Sequence, residues 1–365
     1  MLDPFPFTAP CFLQRAVAPL ADRLGSATLP LHVHEVIFAF TLYSLVGRVI
    51  SPRLSAYLCP QTYPHLNKRT KINWDVHVVS LVQSIVICTM ALWVIFFDQE
   101  RADANWRGRL WGYTGAGGLL QAFAMGYFLW DLIMCAVHID IFGWGMLAHA
   151  ISAVTVFSLG FRPFVNYYGP IFLLYELSSP TLNFHWFLDK LNMTGSAAQL
   201  VNGVALMATF FFCRLVWGAW NSYLVFGDMW QAISHGNVNT HITTPELVSS
   251  GNVALDGGDT MFQSEMMRFA GKKEVPIWLM LAYFGANLVL NLLNYYWFGK
   301  MIETIRKRFD PPFGTKGTGA TKEKTEVPLG DMAVESDLRI GRGVYANGRK
   351  SVEIEKREVR SRRNR

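Results

Sequence analysis

Residues 116–138 read AGGLLQAFAMGYFLWDLIMCAVH, an apolar run of the length that crosses a lipid bilayer as one helix. Asp131 lies inside the run, where a charge near the bilayer centre costs roughly 2.5–3.5 kcal/mol on insertion scales. At 100° per residue, Tyr127, Asp131 and His138 fall within about 40° of one another around the helix. We therefore expect one face of this helix to line a protein interior or a wet cavity.

The rest of the chain repeats this apolar pattern. Of its 365 residues, 51% are hydrophobic and 14% aromatic, while 16% are charged, which excludes an ordinary soluble protein. Further segments of nearly membrane length lie at 32–51, 76–97, 145–161, 165–180, 197–225 and 275–299. The five cysteines follow neither metal-ligand nor disulfide spacing, so we expect neither feature. The predicted fold is an all-α membrane protein with about seven transmembrane helices.

Basic residues beside the first and last apolar runs predict the orientation in the membrane. Lys68 and Arg69 follow the first run, and Lys300 and Arg306 follow the last. The positive-inside rule places both groups on the cytoplasmic side, with the N-terminus lumenal and the C-terminus cytosolic. The first run then acts as an uncleaved signal anchor. Because much of the net charge of +6 lies in such loops and in the tail, nucleic acid is not a predicted partner.

Composition divides the chain into three parts. Residues 1–67 contain the first transmembrane helix, residues 68–305 form the main membrane domain, and residues 306–365 form a polar tail that we expect to be disordered and cytosolic. Within the membrane domain, residues 228–274 are polar and rich in Gly, Asn and Ser, which predicts a flexible insertion. The tail ends in a basic run that suits either anionic lipid or a solvated chain end.

Two further apolar runs carry polar residues at membrane depth. His149 lies near the start of one of them, where an unpartnered imidazole is costly, although a lone histidine is usually a packing residue. In the next run, Glu176, Ser179 and Asn183 share a helix face, and Pro180 leaves the carbonyl group of Glu176 without its helical donor. This pattern indicates a kinked binding site or a helix break near the membrane surface.

Arg214 and an asparagine stripe complete the candidate residues. Arg214 lies in the middle of a long apolar run, so we expect it to bind Asp131, Glu176 or a lipid phosphate or carboxylate. The asparagine stripe on the last run consists of Asn287, Asn291 and Asn294. Such a stripe either holds two helices together or lines a cavity.

Several sequence features form a recognisable set. They are Trp74, Gly-Tyr-Phe-x-x-Asp-Leu at 126–132, His149, Glu-Leu-Ser-Ser-Pro-Thr-Leu-Asn-Phe-His-Trp at 176–186, Arg214 and the Asn-rich last run. Over roughly residues 68–305 this set resembles the TLC-domain family, the lipid-handling membrane domain shared by ceramide synthases and translocating-chain-associating proteins. It looks most like the transmembrane protein 56 branch. The resemblance implies that six helices form a barrel-like bundle and that the first helix is an addition.

The chain also departs from the ceramide synthases. Their His-His pair is replaced here by Ala148 and His149, and their later acidic segment is replaced by residues 175–178. Half of the expected catalytic pair is missing, so the resemblance implies lipid handling more firmly than ceramide synthesis. The predicted function is that of a multi-pass endoplasmic-reticulum protein that binds or handles membrane lipid and controls membrane lipid composition or trafficking.

Two other functions compete with this prediction. The first is a lipid acyltransferase that uses His149 as base, with Asp131 or His138 in support and acyl-CoA as substrate. The second is a seven-helix receptor, whose usual Asp/Glu-Arg-Tyr and Asn-Pro-x-x-Tyr motifs the chain lacks. No cofactor or metal is predicted, and the oligomeric state stays open. The predicted lipid cavity comprises Tyr127, Asp131, His138, His149, Glu176, Ser179, Asn183, Arg214, Asn287 and Asn291.

Overall fold

The computed structural model describes residues 1–235, 238–239, 266–269 and 275–309. The predicted tail lies almost entirely outside the described residues, as does most of the predicted insertion at 228–274. The beginning of that insertion is described, and there the prediction is wrong, because a helix continues through Ser234. Asp228, which is buried in that helix, explains why this part of the chain is ordered.

Helices make up nearly all of the described chain. The first four are α1 (Cys11–Leu24), α2 (Leu29–Leu45), α3 (Ser51–Leu58) and α4 (Lys68–Phe97). The next four are α5 (Gln99–Ala102), α6 (Trp106–Trp111), α7 (Gly115–Val137) and α8 (Ile139–Leu159). The last five are α9 (Gly169–Leu173), α10 (Ser179–Lys190), α11 (Ala197–Phe210), α12 (Trp217–Ser234) and α13 (Ile277–Phe309). The two-residue strands β1 (Val238–Asn239) and β2 (Val275–Pro276) pair in parallel.

Short helical turns join several of these helices. π-Helical turns at Val46–Ile50 and Phe211–Val216 make α2 continuous with α3 and α11 continuous with α12. 3₁₀ turns lie at Tyr63–His65, Asn166–Tyr168 and Leu174–Ser178. Polar side-chain caps begin α4, α7 and α11: at the start of α4 the side chain of Asn67 accepts a hydrogen bond from the backbone N–H of Thr70.

In the described part of the chain, six helices are long and apolar enough to cross a membrane. They span Leu29–Leu58, Lys68–Phe97, Trp106–Val137, Ile139–Leu159, Ala197–Ser234 and Ile277–Arg306. The remaining predicted run, 165–180, is not one helix, because Pro170 and Pro180 each stand in the first turn of a new short helix. These short pieces still cross the bundle: the N–H of Val165 bonds the carbonyl of Leu110, and Trp186 packs against Trp74 near the opposite end.

Six elements close into a ring. α4 packs on α7, α7 on α8, α8 on α13, α13 on the continuous α11–α12 helix, α11 on α10, and α10 again on α4. This arrangement confirms the predicted barrel-like bundle within an all-α membrane fold. The α2–α3 helix lies outside the ring and packs against α7.

A glycine allows the outer helix to approach the ring closely. A Cβ atom added to Gly126 of α7 would lie 2.7 Å from the Cβ of Ala39 and 2.7 Å from the carbonyl oxygen of Val36. Real Cβ atoms do not come so close, so any side chain here would push α2 away from α7. The glycine of the Gly-Tyr-Phe string therefore has a packing role.

The two ends of the bundle differ in charge and packing. At the basic end, where α4, α8 and α11 begin, Arg69 donates to the carbonyl of Asp140 over 2.9 Å. α13 ends there too, since its Trp297 lies against His149 of α8, so Lys300 and Arg306 join Lys68 and Arg69 at this end. At the opposite end an apolar cluster closes the bundle. This closing cluster contains Leu110, Trp111, Phe164, Tyr168, Val225, Met229 and Leu279.

Candidate functional site

A cavity of about 110 Å³ lies inside the ring, in the half nearer the basic end. This is several times the roughly 10–15 Å³ that one ordered water requires. All six ring elements contribute to its wall. The polar lining residues are Asn73, His77, Ser80, Tyr127, Asp131, Cys135, His149, Glu176, Ser179, Asn183, His185 and Arg214. The apolar lining residues are Val76, Phe128, Met134, Phe142, Met146, Leu182, Trp186, Phe210 and Trp297.

Most residues of the predicted lipid cavity lie in this wall. They are Tyr127, Asp131, His149, Glu176, Ser179, Asn183 and Arg214. The described lining does not include His138, Asn287 or Asn291. His138 lies just past the last residue of α7, where its backbone N–H bonds the carbonyl of Met134.

The asparagines of the stripe on α13 have two different roles. The side-chain amide of Asn291 donates to Oδ1 of Asn287 over 2.8 Å and lies 3.4 Å from Oγ of Ser222 on α12, so this pair faces the neighbouring helix. One turn further on, Oδ1 of Asn294 accepts a hydrogen bond of 3.3 Å from Nη1 of Arg214. The first two asparagines therefore hold α13 to α12, and Asn294 supports the cavity residue Arg214.

Arg214 is the most highly connected polar residue of the cavity wall. Its Nε donates to the carbonyl of Tyr175 over 3.0 Å and to Oγ of Ser178 over 2.9 Å, and its Nη2 lies 3.6 Å from Oε1 of Glu176. Glu176 rather than Asp131 is thus the counter-ion. Pro180 stands in the first turn of α10, and the residues before it form a 3₁₀ turn. The carbonyl of Tyr175 in this turn accepts from both the hydroxyl of Ser178 and the guanidinium group of Arg214.

Glu176 and Asp131 are the two carboxylates of the wall. Oε2 of Glu176 accepts a hydrogen bond of 2.7 Å from Oγ of Ser179, so the serine predicted to share its face does bind it. Asp131 is 6% exposed, and its described hydrogen-bond contact is a long one, 3.8 Å from Sγ of Cys135. Asp131 therefore has acceptor capacity left for a ligand in the cavity.

Sequence reasoning missed a second polar pair, formed by His77 and Asn183. Nδ1 of His77 lies 2.7 Å from Oδ1 of Asn183, and Nδ2 of Asn183 donates to Oγ of Ser80 over 3.1 Å. Because the amide oxygen must accept, Nδ1 carries the hydrogen and Nε2 of the neutral ring is a bare acceptor. The ring stacks on Trp186 at 4.2 Å, which fixes its plane. The signal was present, since Asn73, His77 and Ser80 recur at helical spacing.

His149 lines the cavity from α8. Its ring packs against Trp297 at 5.6 Å, and its Nδ1 atom makes no hydrogen bond within the described part of the chain. Nε2 of His77 likewise makes no hydrogen bond within the described residues. A buried imidazole nitrogen without a partner is costly, so both atoms are suited to a ligand or water that enters the cavity.

Comparison with known proteins agrees with this architecture. The TLC-domain family model matches residues 73–303, which include all or most of each of the six ring elements. An uncharacterized TLC domain-containing protein of Schizosaccharomyces pombe is 36% identical over 299 residues, covering 82% of this chain and 87% of the relative. The chain belongs to the TLC-domain family.

Other relatives extend the comparison. Topoisomerase I damage affected protein 4 of Saccharomyces cerevisiae is 28% identical, covering 77% of this chain and 86% of that protein. Human TLC domain-containing protein 4 is 29% identical over 181 residues, covering 48% of this chain and 66% of the human protein. The sequence resemblance to the TLC-domain family is thus confirmed.

Proposed function

We propose that this protein binds a membrane lipid in the six-helix cavity and so takes part in controlling the lipid composition or lipid trafficking of the endoplasmic reticulum. One observation carries the proposal. Every element of the ring contributes side chains to one cavity in which polar groups with free hydrogen-bonding capacity face an apolar wall. A ligand with a polar end and an apolar tail suits such a site.

The polar groups of the cavity determine which hydrogen-bonding groups the polar end of the ligand must carry. Nε2 of His77 accepts a hydrogen bond, so it favours a hydroxyl or amide donor on the ligand. Arg214 lies in the wall with its counter-ion 3.6 Å away, a separation that leaves the guanidinium able to reach a carbonyl or phosphate oxygen. A headgroup or acyl carbonyl with neighbouring hydroxyl groups fits both requirements.

The apolar wall accounts for the rest of the ligand. Phe128, Leu182 and Phe210 belong to three different ring elements and line the same cavity. A hydrocarbon chain that moves from water to this wall gains roughly 25 cal/mol for each Å² of apolar surface buried. A chain that enters from the lipid bilayer gains little, because the bilayer is already apolar, so the polar groups provide most of the selectivity.

A lipid acyltransferase is the second candidate function. The His77–Asn183 pair favours it, because an imidazole with one nitrogen held by an amide and the other bare has the arrangement of a general base. In this reaction the base takes the proton of a lipid hydroxyl, the oxygen attacks the thioester carbon of acyl-CoA, and CoA leaves as the thiol. His149 is the alternative base, but no hydrogen bond joins it to Asp131 or His138 within the described residues.

The membrane orientation is proposed on the basis of the basic end. Lys68 and Arg69 lie at the same end of the bundle as Lys300 and Arg306, which supports a cytosolic basic end and a lumenal N-terminus. The cavity then lies in the cytosolic half of the membrane. Anionic lipid remains a proposed partner for the basic run at the end of the tail.

The test of lipid binding uses the purified full-length protein in nanodiscs with a diazirine-bearing palmitic acid or phosphatidylcholine. Met146→Trp places bulk in the cavity, and we expect it to reduce labelling at least about fivefold. Leu200→Trp is the matched control, because Leu200 faces outward with 61% exposure, and it should label as wild type does. Equal labelling of both variants would contradict the proposal.

A second assay separates binding from catalysis. Labelled acyl-CoA and a mixture of hydroxyl-bearing lipids are added to the same nanodiscs, and acylated lipid is measured. Product formation that is lost in His77→Ala but kept in Leu200→Trp supports the acyltransferase. If photolabelling depends on the cavity but no acylated product forms, the protein binds lipid without turnover.

A further inference from the structure

A cluster of two carboxylates and an imidazole lies away from the cavity, where α2 begins. Nδ1 of His32 is 2.8 Å from Oε2 of Glu35 and 3.6 Å from Oδ2 of Asp3. One ligand atom from each residue lies within 4.8 Å of the other two. The side chains of His32 and Glu35 are 1% and 0% exposed, while Asp3 retains 31% exposure.

The fold brings these residues together from distant parts of the chain. His32 and Glu35 share a face of α2 at i and i+3. Asp3 arrives because the N-terminal segment docks on the bundle: the carbonyl of Met1 accepts a hydrogen bond of 3.0 Å from the N–H of Gly115 at the start of α7. The ring of Phe5 also packs against His34 at 5.2 Å.

One oxygen atom of the Glu35 carboxylate lacks a hydrogen-bond donor within the described residues. That atom, Oε1, is fully buried. Nε2 of His34 lies 3.6 Å from Oε1 and already bonds the carbonyl of Phe7 over 2.9 Å. The amino group of Met1 is bound by Asp98 and Glu100. A buried carboxylate beside a second one needs a cation or a proton.

We propose that Asp3, His32 and Glu35 bind a divalent transition metal ion, zinc by the chemistry of the donors, which fastens the N-terminal segment to α2. One imidazole nitrogen and two carboxylate oxygens form a three-ligand set of the kind that zinc accepts. Calcium and magnesium prefer all-oxygen sites, so an imidazole ligand disfavours them.

The surroundings of His32 suit a metal ligand. Its Nε2 atom is 2.7 Å from the hydroxyl of Tyr113, which precedes α7. With a metal ion on Nδ1, Nε2 carries the hydrogen and donates it to this hydroxyl oxygen, an outer-sphere bond that holds the ring in place. The metal ion thereby connects three parts of the chain: the N-terminal segment, α2 and the start of α7. This site is independent of the lipid cavity.

The experiment uses full-length protein with a free N-terminus and a C-terminal tag. The protein is stripped with chelator, then incubated with Zn²⁺ and passed through a desalting column. Mass spectrometry of the metal content should find about one zinc per chain. Saturating Zn²⁺ should also raise the melting temperature in detergent by about 3 °C or more, whereas Ca²⁺ and Mg²⁺ should not.

Variants assign the zinc to this cluster. Asp3→Asn and Glu35→Gln should each lose most of the bound zinc and the thermal shift. Asp22→Asn and His65→Gln, which change exposed residues of the same types, should keep both. Asp3 is partly exposed, so Asp3→Asn gives a folded test protein even if Glu35→Gln does not fold.

Three results would overturn the proposal. The first is uptake of less than about 0.2 zinc per chain by stripped wild-type protein, which would mean that a proton satisfies Glu35. The second is zinc binding by Asp3→Asn equal to that of wild type. The third is a rise in melting temperature with calcium or magnesium as large as that with zinc, which would contradict the assigned ion.

Discussion

Two arginine–carboxylate pairs lie in opposite halves of the bundle, and their surroundings differ. Near the closed end, Nε and Nη2 of Arg109 bond the two carboxylate oxygens of Asp228 over 2.7 and 2.6 Å, and the hydroxyl of Tyr168 donates to the same carboxylate over 2.6 Å. In the cavity half, Nη2 of Arg214 lies 3.6 Å from Oε1 of Glu176. The first pair is short and two-pronged, whereas the second is longer and borders open space.

This difference separates a structural pair from a candidate binding pair. A two-pronged pair with a third donor has little capacity left for a ligand. The pair in the cavity wall has that capacity, and unbonded nitrogens of His77 and His149 face the same cavity. We therefore take the pair that adjoins the cavity, and not the pair at the closed end, as the candidate for ligand binding.

The largest effect is expected from breaking the closed-end pair. Asp228→Ala leaves the guanidinium of Arg109 and the hydroxyl of Tyr168 without their acceptor. Loss of one member of such a pair should cost about 3 kcal/mol of stability, seen as a lower melting temperature in detergent. Lys300→Ala is the control, because its pair with Glu303 is about half exposed, and it should change stability by less than about 0.5 kcal/mol. A melting temperature for Asp228→Ala equal to that of the control would contradict a structural role.

The second-largest effect is expected on lipid affinity, when the Arg214–Glu176 pair in the cavity half is broken. Glu176→Gln keeps the shape of the side chain but removes the counter-ion of Arg214. Because the freed guanidinium then reorganises toward neighbouring carbonyl groups, we expect lipid affinity to fall about tenfold, or about 1.4 kcal/mol. Titration with a fluorescent fatty acid in nanodiscs measures this loss. If the melting temperature falls as far as in Asp228→Ala while lipid affinity is unchanged, the two pairs have the same structural role.

The smallest effect identifies the partner of Arg214. In a double-mutant cycle, Arg214→Leu and Glu176→Gln should show a coupling energy of about 1 kcal/mol, because the two side chains are in contact. The cycle of Arg214→Leu with Asp131→Asn should be additive within about 0.5 kcal/mol. Thermal melting of the single and double variants in one detergent provides both values. Equal coupling in the two cycles would make Asp131 a second counter-ion.

Much of the fold was predictable from the sequence because membrane helices follow from long apolar runs. The runs around Asp131 and Arg214 were correctly predicted as membrane-length helices, and both helices belong to the ring. The run at 165–180 was not, since each proline permits either a kink in one helix or the start of another. Tertiary contacts decide between these outcomes: Arg214 takes the carbonyl of Tyr175 and so stabilises the broken form.

The cavity wall was predictable mainly where a polar residue stood inside an apolar run. Asp131, His149 and Arg214 had this signal, and all three line the cavity. His77 stands at the beginning of its apolar run, so only its helical spacing with Asn73 and Ser80 distinguishes it from a surface histidine. Asn291 shows the opposite case, because a polar residue deep in a helix can equally face a neighbouring helix.

The cluster around Glu35 could not be found from spacing at all. His32 and Glu35 are separated from Asp3 by all of α1, and a loop-and-helix path of that length gives no metal-ligand motif. Only the docking of Met1 against α7 brings the three residues together. Sites built from a terminus and a helix face depend on tertiary packing, and packing is not visible in the sequence pattern.

The most direct test of lipid binding in the six-helix cavity is to map where a photoreactive lipid attaches. Full-length protein in nanodiscs is labelled with diazirine-bearing palmitic acid, digested, and sequenced by mass spectrometry. We predict labels on Met134, Met146 or Leu182, which line the cavity, and their loss in Met146→Trp. Labels confined to outward-facing residues such as Leu200 and Val204, unchanged in Met146→Trp, would contradict the account.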